Sequence, residues 1–268
     1  MTQSAGRKTI FITGAGSGIG RATALLFAAR GWYCGLYDVN AGGLAETASH
    51  LPEGSWTTGV FDVRDKHGWR DAIGQFGDLT GGHMDVLFNN AGIGRHGPFE
   101  LIPQDDADLV IDVNIKGVVN GVYAALPLLR QTANSCIVNT ASAAGVFGSP
   151  SLAVYSATKF AVRGLTEALD VEFARFGVRV HSLMPWIIET PILDMPSSTG
   201  ANRVMRDGLA ESGTEIYKVE DAAQAAWDAA HGDQVHTMVG KAAERVRFMA
   251  RFFPNFLRKQ MKKQFATM

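Results

Sequence analysis

The stretch TIFITGAGSGIG, residues 9–20, decides the fold of this chain. Residues 9–12 predict a buried strand, and the glycine-rich turn after them opens a predicted helix at about 18–30. Glycine at 14, 18 and 20 lets the backbone turn tightly and approach a pyrophosphate, which the free amides at the start of the helix then face. In this strand–turn–helix context the stretch predicts a dinucleotide site. The open alternative is a flexible glycine turn.

Short apolar runs and longer helical stretches alternate along the rest of the chain. Apolar strands separated by helices indicate a parallel sheet covered on both faces. Right-handed crossovers make a single-domain, three-layer αβα sandwich the simplest topology, the doubly wound Rossmann fold. The predicted strands cover 9–12, 33–38, 56–60, 86–88, 136–138 and 178–183. The predicted helices cover 18–30, 43–50, 66–79, 104–130 and 155–176.

The composition limits the class of protein. A length of 268 residues suits one α/β domain, and the formal net charge of -1 argues against general nucleic-acid binding. Cys34 and Cys136 lie in apolar runs, so we expect buried thiols in a reducing compartment. Residues 1–8 lack the apolar core of a signal peptide, and no apolar stretch is expected to approach the ~20 residues of a membrane-spanning helix. These features predict a soluble, cytoplasmic protein, and no metal site is predicted.

Asp38 predicts the choice of cofactor. It ends the second strand, eighteen residues beyond Gly20, where a carboxylate can accept both hydroxyls of an adenine ribose and repel a 2′-phosphate. No Lys or Arg occupies positions 14–20 to offset a second phosphate. The sequence therefore favours NAD, with NADP less suited. Alternatively, Asp38 only caps the following loop.

Two more segments follow predicted strands at the edge where ligands bind in open α/β sheets. Asp62-Val63 follows the third strand and Asn89-Asn-Ala-Gly92 the fourth. Asn90 is expected to brace the first strand, Ala91 and Gly92 are small enough for adenosine to lie over the backbone, and Asn89 is expected to be structural.

Three polar residues in the second half can move a proton. Tyr155 and Lys159 are spaced i, i+4 and so share one helix face, and the ammonium together with a positive nicotinamide ring is expected to lower the phenol pKa from its usual value of about 10. The Ser142 hydroxyl, after the fifth strand, can hold a substrate oxygen beside the phenol. Singly, the three could be a core aromatic, a solvated lysine and a helix cap.

Over about 8–231 the chain resembles the short-chain dehydrogenase/reductase family, in its short single-domain branch. The motifs that carry the resemblance are TGAGSGIG at 13–20, NNAG at 89–92, Asn114, Ser142 and YSATK at 155–159. The resemblance implies that Tyr155 is the general acid/base, that Lys159 holds the nicotinamide ribose and lowers the tyrosine pKa, and that Ser142 orients the substrate. It also implies that Asn114 keeps a water in a proton relay and that residues 188–190 hold the carboxamide. The cofactor contacts expected from the motifs and the resemblance are Gly14, Ser17, Gly18, Ile19, Gly20, Asp38, Asp62, Val63, Asn90, Ala91, Gly92, Tyr155, Lys159, Pro185, Ile188 and Thr190.

The chain departs from the family pattern in two places. Pro185-Trp186 stands where Pro-Gly is usual, and a glycine-rich strand near the carboxyl end is replaced by HTMVG at 236–240 and a basic tail. We therefore expect a homodimer through the helices at 104–130 and 155–176 more than a family-type homotetramer.

The predicted substrate pocket is apolar. It is expected between the loop at about 186–218 and the segments 143–150 and 94–99, and its candidate residues are Ala144, Phe147, Trp186, Ile192 and Met195. No arginine is assigned to a substrate carboxylate: Arg95 and Arg203 are candidates for that role but are expected at the surface, and His96 is expected in a loop. The predicted activity is hydride transfer between NAD(H) and an apolar secondary alcohol or ketone. The alternatives are a membrane-surface dehydrogenase of a lipid-like, steroid-like or retinoid-like alcohol, a nucleotide-sugar epimerase or dehydratase, and a non-catalytic dinucleotide sensor.

The carboxyl-terminal tail, 241–268, differs in charge from the domain at 1–240. It holds eight Lys/Arg against Glu244, a net +7, whereas the preceding residues hold 17 basic and 25 acidic side chains, a net −8. Phe248, Phe252 and Phe256 are spaced four apart across Pro254. The favoured prediction is a tail folded over the active-site mouth or onto a partner subunit; contact with a membrane surface and disorder are the alternatives.

Overall fold

A computed structural model describes residues 6–195 and 204–265 as one sheet with helices on both faces. The seven strands are parallel, in the order β3-β2-β1-β4-β5-β6-β7. Their bounds are β1 Thr9–Thr13, β2 Tyr33–Asp38, β3 Trp56–Val60, β4 Val86–Asn89, β5 Cys136–Thr140, β6 Arg179–Pro185 and β7 His236–Val239. The α-helices in the described ranges are α1 Gly18–Ala29, α2 Ala41–Ser49, α3 Lys66–Thr80, α4 Gln104–Ile111, α5 Gly117–Gln131, α6 Ala153–Phe173, α7 Met205–Ser212, α8 Val219–His231, α9 Lys241–Phe252 and α10 Pro254–Phe265.

The position of β1 between β2 and β4 creates the crevice for a ligand. All five residues of β1 are buried, and the strand pairs with β2 on one side and β4 on the other. The chain order reverses between these neighbours, so the loops after β1 and β4 diverge at the carboxyl ends of the strands. The predicted Rossmann fold, a parallel αβα sandwich, is confirmed.

Apolar side chains fill both faces of the sheet. On one face α1 packs on α8, whose buried side is almost entirely alanine, so the two helices approach closely. On the other face Phe11 of β1 stacks on Tyr37 at 4.0 Å between ring centroids, with Trp69 and Phe76 of α3 beside them. Both cysteines are buried and free as expected, and burial raises the pKa of each thiol to about 12.

The helix predicted at 104–130 is interrupted. Between α4 and α5, residues Asp112–Lys116 form a π-helical turn that contains Asn114. The run Gln104–Gln131 is long and apolar enough to cross a membrane by these two criteria, so the expectation that no stretch approaches this length is wrong. Half of its most apolar window is buried inside the protein. Packing of α4 against α6 and of α5 against α3 accounts for that burial.

The carboxyl-terminal part of the fold differs most from the prediction. Residues His236–Val239, assigned to no strand from the sequence, pair with β6 and complete the sheet. The tail follows directly as α9 and α10, so the disorder alternative is wrong for 241–265. Ala243 and Leu257 are buried against the domain. The substrate loop contains a 3-10 turn, Pro191–Asp194, and α7; residues 196–203, including Arg203, lie outside the described ranges.

Candidate active site

A cavity of about 730 Å³ lies at the carboxyl ends of the strands and brings the predicted site residues together. The segments that follow β1 to β6 all contribute to its wall. Of the residues named from the sequence for catalysis, cofactor or substrate, all line this cavity except Gly20 and Asn114, which lie behind its wall.

The glycine-rich turn is held by backbone contact and by Asn90. A Cβ on Gly20 would lie 2.1 Å from the carbonyl oxygen of Gly14, so only glycine lets α1 begin this close to β1. The Asn90 side-chain amide donates to the carbonyl oxygen of Thr13 at 3.1 Å, which ties the loop after β4 to the end of β1. The first amides of α1 therefore face the cavity, in the arrangement that binds phosphate groups. These residues fit a dinucleotide.

The Asp38 carboxylate lies in the cavity wall at the end of β2. It accepts hydrogen bonds from the backbone amides of Gly16, at 2.9 Å, and Asn40, also at 2.9 Å. Arg21, one position beyond the glycine-rich turn at 14–20, is a cation close to this site. Its guanidinium pairs with Glu46 at 2.6 Å and donates to the Gly16 carbonyl oxygen. That cation is therefore already engaged by protein oxygens.

Asp62 is paired in a way that sequence reasoning missed. Arg64 forms a 2.6 Å ion pair with the Asp62 carboxylate and also lines the cavity. Hydrogen bonding from Arg64 lowers the pKa of this carboxyl. A ligand that contacts Asp62 must therefore share the carboxylate with a guanidinium.

The three proton-handling residues converge at the far side of the cavity. The Lys159 Nζ donates to the Thr140 carbonyl oxygen at 2.8 Å and lies 5.5 Å from the centre of the Tyr155 ring. Burial raises the pKa of the Tyr155 phenol, and a hydrogen bond with Ser142 opposes that shift. Burial also lowers the pKa of Lys159 to about 8. Within the protein alone, the tyrosine pKa is therefore shifted upward, contrary to the lowering that was expected from Lys159.

Ser142 combines two of the roles considered from the sequence. Its Oγ accepts from the Ala144 amide at 3.1 Å and so caps the short turn Ala143–Gly145, while the hydroxyl also meets the Tyr155 phenol. A Cβ on Gly145 would lie 2.7 Å from the Lys159 carbonyl oxygen. The Ser142 turn therefore rests directly on the backbone of α6.

Asn114 supports the site from behind. Its side chain exchanges two hydrogen bonds with the backbone of Ile93, both 2.9 Å, and donates to the Thr158 hydroxyl at 3.2 Å. It thereby joins the π-helical turn, the loop after β4 and helix α6 next to Lys159.

Large apolar side chains form the other end of the cavity. Met195 packs on Gly94. Trp186 directly follows β6, and its backbone amide donates to the Val239 carbonyl oxygen of β7 at 3.0 Å. Within the described ranges, the buried Trp186 Nε1 has no hydrogen-bond partner. Arg95 pairs with Asp106 at 2.9 Å and also lines the cavity.

The tail supplies two wall residues that sequence reasoning did not assign. Val246 of α9 and Met261 of α10 both line the cavity. The sequence feature that could have identified them is the amphipathic spacing of Ala243 with Val246 and of Leu257 with Met261. The structure thus places the tail against the predicted substrate end of the site.

Comparison with known proteins identifies the family. The family model for short chain dehydrogenases matches residues 8–201. The chain is 36% identical over 192 residues to levodione reductase of Leifsonia aquatica, covering 70% of this chain and 72% of that protein. It is 35% identical over 221 residues to the 3-oxoacyl-(acyl-carrier-protein) reductase FabG of Thermotoga maritima, covering 81% and 87%. A short chain dehydrogenase/reductase from Burkholderia phymatum, solved in complex with NAD, superimposes with a TM-score of 0.80 at 30% identity over 95% of each chain. The chain therefore belongs to the short-chain dehydrogenase/reductase family of oxidoreductases, which use nicotinamide dinucleotides.

Proposed function

We propose that this chain transfers a hydride between NAD(H) and an apolar secondary alcohol or ketone, with Tyr155 as the general acid/base. One observation carries the proposal: a single cavity joins a dinucleotide-type glycine turn, the Ser142–Tyr155–Lys159 group and a wall of large apolar side chains. The first part suits a cofactor, the second a proton transfer and the third an apolar substrate.

Asp38 supports the preference for NAD over NADP. Its carboxylate faces the cavity at the end of β2, where it can accept the ribose hydroxyls and repel a 2′-phosphate. The nearest guanidinium on α1, that of Arg21, is engaged with Glu46 and the Gly16 carbonyl oxygen. Gly14, Ser17, Gly18 and Ile19 are proposed to bind the pyrophosphate. Ala91, Gly92, Asp62 and Val63 are proposed to surround the adenosine, and Pro185, Ile188 and Thr190 the nicotinamide.

The proton chemistry follows from the positions of three side chains. The nicotinamide ring, when bound, supplies or accepts the hydride. In ketone reduction, Ser142 holds the substrate oxygen, and Tyr155 donates its phenolic proton to that oxygen as negative charge develops there. In alcohol oxidation, the Tyr155 phenolate takes the proton back. Lys159 would stabilise the phenolate through its positive charge and hold the nicotinamide ribose, while Asn114 positions α6 and the loop after β4.

The outer surfaces of α5 and α6 support a homo-oligomer. Tyr123 is 77% exposed on α5 and Val171 is 76% exposed on α6. A two-fold contact through these helices would cover both side chains. We propose this homodimer, and light scattering of the purified protein tests it.

A substrate panel tests the proposed activity. Small and bulky alcohols and ketones would be followed at the nicotinamide absorbance, with NAD(H) and NADP(H) compared. We expect turnover of the apolar, bulkier members and higher efficiency with NAD(H). Binding of NAD with no turnover of any member would instead indicate a dinucleotide sensor. Conversion of a nucleotide sugar without net change in NADH would indicate an epimerase.

A further inference from the structure

Helices α9 and α10 have two different faces. The inner face carries Ala243 and Leu257, which are buried, together with Val246 and Met261, which line the cavity. The exposed side, here called the outer face, carries four phenylalanines and several cations. It consists of Phe248, Arg251, Phe252, Phe253, Phe256, Arg258 and Lys259, all exposed.

Three phenylalanines of the outer face, Phe248, Phe252 and Phe253, form a cluster in contact with solvent, and Phe256 is a fourth exposed ring on α10. Phe248, Phe252, Phe253 and Phe256 are 55%, 58%, 51% and 61% exposed. The Phe248 ring centre lies 4.9 Å from that of Phe252 and 6.1 Å from that of Phe253. A contiguous aromatic patch of this kind on a folded surface marks an interaction site.

The charge of the tail selects the kind of partner. The segment 241–268 has eight basic residues and one acidic residue, whereas the preceding residues have an excess of eight acidic ones. Arg251, Arg258 and Lys259 form no ion pair with any described residue, although Arg251 lies over the Phe252 ring at 5.7 Å. A two-fold contact between copies through this face would bring two such cationic segments together. An anionic surface is the complementary partner.

We propose that the outer face of α9 and α10 docks on an anionic lipid surface. Aromatic rings at the boundary between headgroups and acyl chains, flanked by Arg and Lys that meet anionic headgroups, are the features of a helix lying in a membrane interface. The inner face of the same helices lines the cavity, so docking would hold the substrate end of the site next to the lipid. The proposal stands on the tail alone and does not depend on the reaction catalysed.

Vesicle binding of the full-length protein tests the proposal without any turnover measurement. The protein would be sedimented with vesicles of phosphatidylcholine alone and with vesicles that also contain phosphatidylglycerol, at low and at raised salt. We expect binding to the anionic vesicles only, and weaker binding as salt screens the charges. Each Lys or Arg near an anionic surface contributes about a fivefold gain in partitioning. Arg258→Gln with Lys259→Gln is therefore expected to weaken binding at least about tenfold.

Two matched pairs of variants locate the docking surface. Phe256→Ser is expected to weaken vesicle binding, whereas Val60→Ser, which removes a 60% exposed apolar side chain from β3 at the opposite edge of the sheet, is not. Lys66→Gln with Arg70→Gln removes two exposed charges from α3 and should also leave binding unchanged. All six substituted residues in these four variants are exposed, and thermal melting would show that each variant is folded.

Three outcomes would overturn the proposal. The first is no binding to anionic vesicles, or equal binding to neutral ones. The second is equal losses in the tail variants and their controls. The third is a change of oligomeric state in Phe256→Ser, measured by light scattering without vesicles, because this would show that the outer face contacts a second copy of the chain.

Discussion

At the end of the cavity next to β1, glycines of the turn after β1 and of the loop after β4 contribute to the wall, whereas the end next to the tail is lined by large apolar side chains. The first end is built from consecutive residues of one turn and its neighbours in the sheet. The second is assembled from the turn after β5, the loop after β6, α7 and the two tail helices. Main-chain contacts require particular residues at fixed spacing, whereas an apolar wall requires only bulk.

This difference explains why the residues at the end next to β1 could be predicted from the sequence, whereas those at the end next to the tail could not. At Gly20 a methyl group has no space, so the residue type follows from the backbone path. At Val246 several apolar residues would fill the same volume. We therefore expect substitutions near β1 and at the proton-transfer group to act on all substrates alike. Substitutions near the tail should act on the choice of substrate.

The largest loss of activity is expected from Tyr155→Phe, at the point where the two ends of the cavity meet. The change keeps the ring and removes the proton, so turnover should fall by about 100-fold or more while the NAD dissociation constant stays close to that of the wild type. Tyr123→Phe makes the same chemical change on α5, at a residue that does not line the cavity, and serves as the control. Retention of more than about a tenth of the activity in Tyr155→Phe would assign the proton to another group.

Gly20→Ala tests the main-chain end. The new Cβ would meet the Gly14 carbonyl oxygen at 2.1 Å, so the turn must shift away from α1, at a cost of about 1–3 kcal/mol or more. We expect a lower melting temperature and NAD binding weakened by about tenfold or more. The control is Gly164→Ala in α6, where the added carbon meets nothing within 4 Å among the described residues except its own helix, and helix propensity favours alanine by about 1 kcal/mol. Equal stability of the two variants would contradict this account of the turn.

Asp38→Ala tests cofactor choice. Loss of charge-assisted hydrogen bonds of about 1.5–3 kcal/mol should reduce the preference for NAD over NADP by roughly 10- to 100-fold. The ratio of kcat/KM with the two cofactors measures it, and Asp71→Ala, on the exposed surface of α3, is the control. A wild-type enzyme that already favours NADP would refute the role given to Asp38.

Trp186→Gly is expected to have the smallest effect, and only on selectivity. Removal of an indole from the cavity wall should favour a bulky alcohol over a small one by about five- to tenfold, with little change in NAD binding. Trp186→Phe should restore most of the original preference. Equal losses for both alcohols, together with weaker NAD binding, would show instead that the indole supports the nicotinamide end.

The sequence predicted six strands because each is a continuous apolar run of a buried parallel sheet. Strand β7 has only four residues, three of them half-buried, and its pairing with β6 is a tertiary contact that no local pattern reveals. The π-helical turn at Asn114 has the same local composition as the α-helices around it, so periodicity predicted one helix.

The site shows the same division. Glycines, Asp38 and the Tyr155–Lys159 pair could be placed in one cavity from motif spacing and strand ends. The Asp62–Arg64 pair depends on a side-chain rotamer of an exposed arginine, and the contribution of Val246 and Met261 depends on how the tail folds back. The tail's amphipathic spacing was visible in the sequence, but the surface that each face meets was not.

The contact between Gly145 and the carbonyl oxygen of Lys159 has a consequence for how freely this enzyme can diversify. The turn that carries Ser142 rests on the backbone of the helix that carries Tyr155, with no side chain between them. The distance between the Ser142 and Tyr155 hydroxyls therefore does not depend on the size of the side chains in the surrounding wall. Mutations that accumulate in the substrate loop and the tail can reshape the cavity for new alcohols while the proton-transfer distance is kept. Gly145→Ala should change the distance between the two hydroxyls, since even one methyl group there would push the turn away from the helix.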